Sequence, residues 1–81
     1  MQSRIAVIGI IVFQRENAAS KVNVVLSEHG DIIVGRMGIP YREKGFSVIA
    51  LIVDGTTDQV GALTGKLGNI PHVRVRSAIT L

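Results

Sequence analysis

At 81 residues the chain has room for one domain, and the absence of cysteine excludes disulfides, thiolate metal ligands and thiol redox chemistry. With 47% hydrophobic and 19% charged residues it is a folding sequence, not a disordered one. Nine Lys and Arg against six Asp and Glu give a net charge of +3, which permits acidic partners without demanding them. A domain of this size buries only about 60–65% of its unfolded surface, so it gains from outside help. With disulfides excluded, association is the simplest source of that help.

The first element is Arg4 to Phe13, RIAVIGIIVF, an apolar β-branched run that predicts a buried strand. It is too short to span a bilayer, and QREN follows where a secretory signal would place small residues. A cytoplasmic protein with no membrane partner is expected. Asn17 is expected to cap a helix in which Val22, Val25, Leu26 and His29 recur at helical spacing, with Gly30 closing it as a C-terminal glycine. Ile32 to Ile39 reads as a second strand stopped by Pro40, and Tyr41 to Gly45 as a polar hairpin loop. Phe46 to Val53 is a third strand, followed by an Asp54-Gly55 turn. Thr56 with Gln59 forms a capping box for a second helix, whose stripe is Val60, Leu63, Leu67 and Ile70. Gly61 and Gly65 weaken that helix unless they allow close packing. Val73 to Leu81 is a fourth strand, with Arg74 and Arg76 alternating against Val73, Val75 and Ser77.

The order βαββαβ predicts an α+β fold, residues 1–81 forming a single ferredoxin-like sandwich of ACT type. Its antiparallel four-stranded sheet carries both helices on one face. The first and third strands are central in this topology, and both are apolar on both faces. Ile5, Val7, Ile11 and Phe13 oppose Ala6, Ile8, Ile10 and Val12; Val48, Ala50 and Ile52 oppose Ile49, Leu51 and Val53. Helices cover one face, so something else should cover the other. About 400 Å² of cover would contribute roughly 10 kcal/mol, against an association cost of about 4–15 kcal/mol. A homodimer or homotetramer joined through sheet faces or edges is expected.

Chemistry is sparse. His29 and His72 fall at opposite ends of such a sandwich, without HxH or HExxH spacing. A shared ion would need a second subunit or carboxylates such as Glu28 or Asp31, whereas a helix C-terminus explains His29 alone. No metal and no other cofactor is expected. No Ser/His/Asp set, paired carboxylates or phosphate loop is readable, so no enzyme is expected. GALTGK, residues 61–66, lies inside a capped helix with the wrong glycine spacing for a phosphate loop. Asp31, Asp54 and Asp58 fall at element ends, where caps and turns explain them.

Two binding surfaces remain. Gly35, Arg36, Met37 and Gly38 combine strand glycines, which mark a bulge or a close backbone approach, with an arginine able to grip a carboxylate and an adaptable methionine. With Tyr41 and Arg42 of the hairpin they form the candidate ligand or subunit interface. The alternative is a nucleic-acid surface using Arg74, Arg76 and Lys44, with Arg36 and Arg42 nearby. Against it, aromatics are few, no aromatic pair is readable on a central strand, and edge protection explains the two arginines.

The blocks GDIIVGRMGIPYREKG and LIVDGTTDQVGALTGKLG resemble the family of iron-only hydrogenase system regulators. The similarity runs from IAVIGI to VRVRSA, almost the whole chain. It implies a stand-alone ACT-like domain similar to the C-terminal domain of the nickel-responsive regulator. It further implies sheet-mediated dimers or tetramers and a regulatory role, with a small-molecule effector or a hydrogenase-related protein as partner. The nickel regulator's metal ligands include histidines and a cysteine, a set this chain lacks, and its DNA-binding domain is a separate unit. ACT domains often hold amino acids between subunits near the loop after the first strand, which here is VFQREN.

Overall fold

The computed structural model describes residues 3–15 and 17–81. Its elements are β1 (Arg4–Phe13), α1 (Ala18–Glu28), β2 (Ile33–Tyr41), β3 (Phe46–Gly55), α2 (Thr57–Gly68) and β4 (Val73–Ile79), with short 3₁₀ turns at Gly30–Ile32 and Arg42–Lys44. The four strands are antiparallel in the order β2-β3-β1-β4. This is the expected ferredoxin-like βαββαβ sandwich, with β1 and β3 central and β2 and β4 at the edges.

Alternation decides the layers. Ala6, Ile8, Ile10 and Val12 of β1 and Ile49, Leu51 and Val53 of β3 point to one face and are buried. They pack with Ala18, Val22 and Leu26 of α1 and Val60, Leu63 and Leu67 of α2 in one core. Over the other face the described residues form no second layer: Val7, Met37, Ile39, Tyr41 and Ile52 are exposed there.

The Thr56 capping box forms as expected, with the Gln59 N–H donating to Thr56 Oγ1 at 3.1 Å and the Thr56 N–H donating to Gln59 Oε1 at 2.8 Å. The other helix start differs. Asn17 is left-handed at φ 62° and makes no side-chain capping bond. Its side chain therefore does not cap α1; it supplies a residue type that tolerates this backbone region. Gly30 is not a left-handed stop, because the chain tightens directly into a 3₁₀ turn and Ile32 turns back into the core.

Strand ends also shift. Pro40 lies inside β2 opposite Ser47. β2 is an edge strand, where a missing N–H is tolerated if it faces outward. Asp54 and Gly55 are not a turn but the last pairs of β3, opposite Ile5 and Arg4. β4 ends at Ile79, two residues short of the expected Leu81. Gly61 and Gly65 do not serve close packing, since a Cβ at either would meet nothing within 4 Å.

Candidate interface and ligand groove

The loops gather at one end of the sheet, as the topology requires. The Phe13 N–H donates to the His72 carbonyl at 2.9 Å, and the Gln14 N–H to the Gly45 carbonyl at 3.1 Å. Gly45 turns the hairpin at φ 78°, a region open to glycine. Glu16, in the loop after β1, lies outside the described residues. No helix among the described residues is long and apolar enough to cross a membrane.

The residues grouped as one interface divide between two faces. Met37 and Tyr41 stand opposite Ala50 and Phe46 and so share the open face, with Gly35 opposite Ile52. Arg36 and Gly38 are opposite the buried Leu51 and Ile49 and belong to the helix side. A shift in register between Ile33 and Gly35 leaves Val34 outside the ladder. Arg42 lies beyond the strand in the 3₁₀ turn with Lys44.

On the helix side, Arg36 reaches across to α1, its Nη2 donating to Asn23 Oδ1 at 2.9 Å. The two side chains line a groove of about 200 Å³ between α1 and β2 together with the apolar Val12, Val22, Ile49 and Pro40. An apolar lining with a guanidinium and an amide suits a small molecule carrying one anionic group. An exposed pair of this kind contributes little to folding, usually within about 0.5 kcal/mol. Arg36→Ala is therefore expected to leave the urea midpoint nearly unmoved while removing any mass retained by the groove in native mass spectrometry.

The open face has a different character. Phe13 and Phe46 are direct cross-strand partners on the two central strands, their ring centroids 5.8 Å apart edge to face. Tyr41 continues the row on β2, 6.0 Å from Phe46. All three aromatic residues of the chain thus line up on one face. Lys44 lies over the Tyr41 ring and Arg74 over the Phe13 ring, each at 5.4 Å. The sequence reading missed this pairing because it depends on the register between β1 and β3, which are far apart in the chain. Beside the row, Gly9, Ile11, Val48, Arg74 and Arg76 line part of a groove of about 650 Å³ that also takes in Val73 and Val75 of β4 and Gly68 of α2.

Among the described residues, no three His, Asp or Glu side chains are placed to hold a metal ion. His29 has a half-buried ring whose buried Nε2 has no partner in the structure.

Comparison with known proteins bears on this architecture at two levels. The chain is similar to TM1266, an uncharacterized protein of Thermotoga maritima, at 36% identity and a TM-score of 0.96, covering 99% of this chain and 100% of that one. It is similar in fold to the ACT domain of the GTP pyrophosphokinase of Chlorobium tepidum, at 19% identity and a TM-score of 0.80, covering 95% and 100% of the two chains. A comparison with curated proteins finds no match. The model of the TM1266-like family, described as iron-only hydrogenase system regulators, matches residues 4–77. With its ACT-type sandwich matched over nearly its full length, the chain belongs to the TM1266-like family of iron-only hydrogenase system regulators.

Proposed function

We propose that this chain is a non-enzymatic cytoplasmic regulatory domain of an iron-only hydrogenase system, working as a homodimer, or a tetramer built from such dimers. Its subunits meet along the β2 edge, beside the Arg36 groove, where a small ligand or a hydrogenase-related protein binds. The observation that carries this reading is the contrast between the two sheet edges. β4 carries Arg74 and Arg76, the charged protection that discourages edge pairing. β2 carries Val34, Met37 and Ile39, exposed by 69%, 65% and 53%. An edge strand with that much exposed apolar surface is stable in water when another strand pairs with it. A second β2, antiparallel about a two-fold axis, provides a self-complementary partner. The groove between α1 and β2 opens next to that seam, so a molecule bound there senses and influences the pairing.

Native mass spectrometry under gentle and then denaturing conditions tests this. The expected result is a dimer or tetramer carrying added mass that denaturation releases. An oligomer without added mass would point to the protein partner as the regulated contact. Val34→Lys together with Ile39→Lys is expected to give a folded monomer. A wild-type monomer at micromolar concentration would refute the reading.

A further inference from the structure

We propose that the open face of the sheet binds single-stranded nucleic acid, with bases stacked on the Tyr41–Phe46–Phe13 row and phosphates held by Lys44, Arg74 and Arg76. Three observations combine. The first is the aromatic row, which crosses three neighbouring strands and places two rings on the central pair. Aromatic side chains on the central strands of an exposed four-stranded sheet offer stacking platforms for two or three unpaired bases. The second is charge. Lys44 flanks the row at one end and Arg74 at the other, and Arg76 stands opposite Gly9 on the same face. Among the described residues, Glu43 lies in the hairpin turn beside Lys44, and Asp54 is paired with Ile5 at the far end of the face. The third is shape. Gly9 opposite Ala50 leaves a depression in the middle of the face, and a Cβ at Gly9 would meet nothing within 4 Å. A groove of about 650 Å³ is lined by Gly9 and both arginines, and it continues past this face to Val73, Val75 and Gly68 at the β4 side.

A second copy of this chain is a less suitable occupant of this area. Two copies packed face to face would bring Arg74 and Arg76 of each into a dry contact with few carboxylates to pair them, and unpaired buried charge is costly. A polyanion with flat apolar bases meets both the rings and the cations. The surface meets the proposed β2 seam only at Tyr41; Phe13, Phe46, Arg74 and Arg76 lie on β1, β3 and β4, so they remain available whether or not the seam forms.

Fluorescence anisotropy with labelled ten-nucleotide oligouridine, oligothymidine and a DNA duplex tests the proposal on the full chain. Binding to both single strands is expected at 50 mM salt, stronger than to duplex. Three phosphate contacts predict a slope of about −2 in log affinity against log salt, so affinity falls roughly 20-fold between 50 and 200 mM. Arg74→Gln with Arg76→Gln should reduce that slope to about −0.7. Tyr41→Ala should weaken binding about tenfold without changing the slope. Gly9→Val should weaken binding while leaving the fold intact, because the new side chain enters open space. Val34→Lys with Ile39→Lys should still bind, since it adds positive charge; this separates failure of the dimer from failure of this proposal. No binding at 50 mM salt would overturn it. So would equal affinity for duplex, or binding indifferent to Tyr41→Ala, which is plain charge attraction. Loss of the oligomer in the Tyr41 and arginine variants, without oligonucleotide binding, would assign the face to a second copy.

Discussion

Leu63→Ala is expected to remove about 2–5 kcal/mol of stability. A chain of 81 residues has only about 4–12 kcal/mol in total, at about 0.05–0.15 kcal/mol per residue. The substitution therefore takes a large share and in the lower range leaves the domain largely unfolded. Leu63 is fully buried at the middle of the α2 stripe, between Val60 and Leu67. α2 has little intrinsic stability to fall back on, because Gly61 and Gly65 each cost about 1 kcal/mol relative to alanine. The stripe holds the helix, and the helix covers the sheet. Ile52→Ala is the matched comparison. Ile52 is exposed by 49% on the open face, so its loss should cost only about 1 kcal/mol in the free protein. Urea unfolding followed by circular dichroism gives both values. A cost at Ile52 that approached that at Leu63 and grew with protein concentration would mean that a second copy covers the open face.

Gly55→Val is expected to cost about 2–4 kcal/mol, from overpacking of about 1–3 kcal/mol and loss of a cap at about 1 kcal/mol. Gly55 is buried, and a Cβ there would lie 3.0 Å from Gln59 Oε1 and 3.2 Å from Ile32 Cγ2. Gln59 cannot yield freely, because the same Oε1 accepts the Thr56 N–H at 2.8 Å. Pushing it aside opens the capping box; holding it in place strains the junction of β3 and α2. Gly61→Ala should do the reverse. Its Cβ enters open space in the helix interior, and stability should rise by about 0.5–1 kcal/mol. Urea midpoints moving in opposite directions would confirm that local space, not glycine content, governs α2. A Gly55→Val midpoint equal to wild type would refute it.

Much of the fold was legible because its signals are local. The apolar run at Arg4 to Phe13, the Thr56–Gln59 box and the 60–63–67 stripe each state their own structure. The misreadings share a cause. Asn17, Gly30 and Pro40 were judged by what such residues most often do, while their neighbours decided otherwise. Pro40 continues its strand because that strand is at an edge, a property of the assembled sheet. The candidate site was legible as composition and not as geometry. Arg36 and Met37 are adjacent in sequence and so point to opposite faces, one toward Asn23 and the other away from the helices. The aromatic row requires Phe13 to meet Phe46, which pairing across the whole β1–β3 ladder determines. Tyr41 joins through the hairpin, the one part of the row that short-range reading could supply.

The unlike edges of the sheet have a consequence for the cell's handling of this protein. A sheet with two adhesive borders can add copies without limit and grow into ribbons. Here the borders differ: one exposes Val34, Met37 and Ile39, while the other presents Arg74 and Arg76. On the proposed pairing, once two apolar borders have met, only cationic borders face outward, and they repel each other. Edge-to-edge growth would then stop at that pair, which would protect a short apolar chain without disulfides against fibre formation.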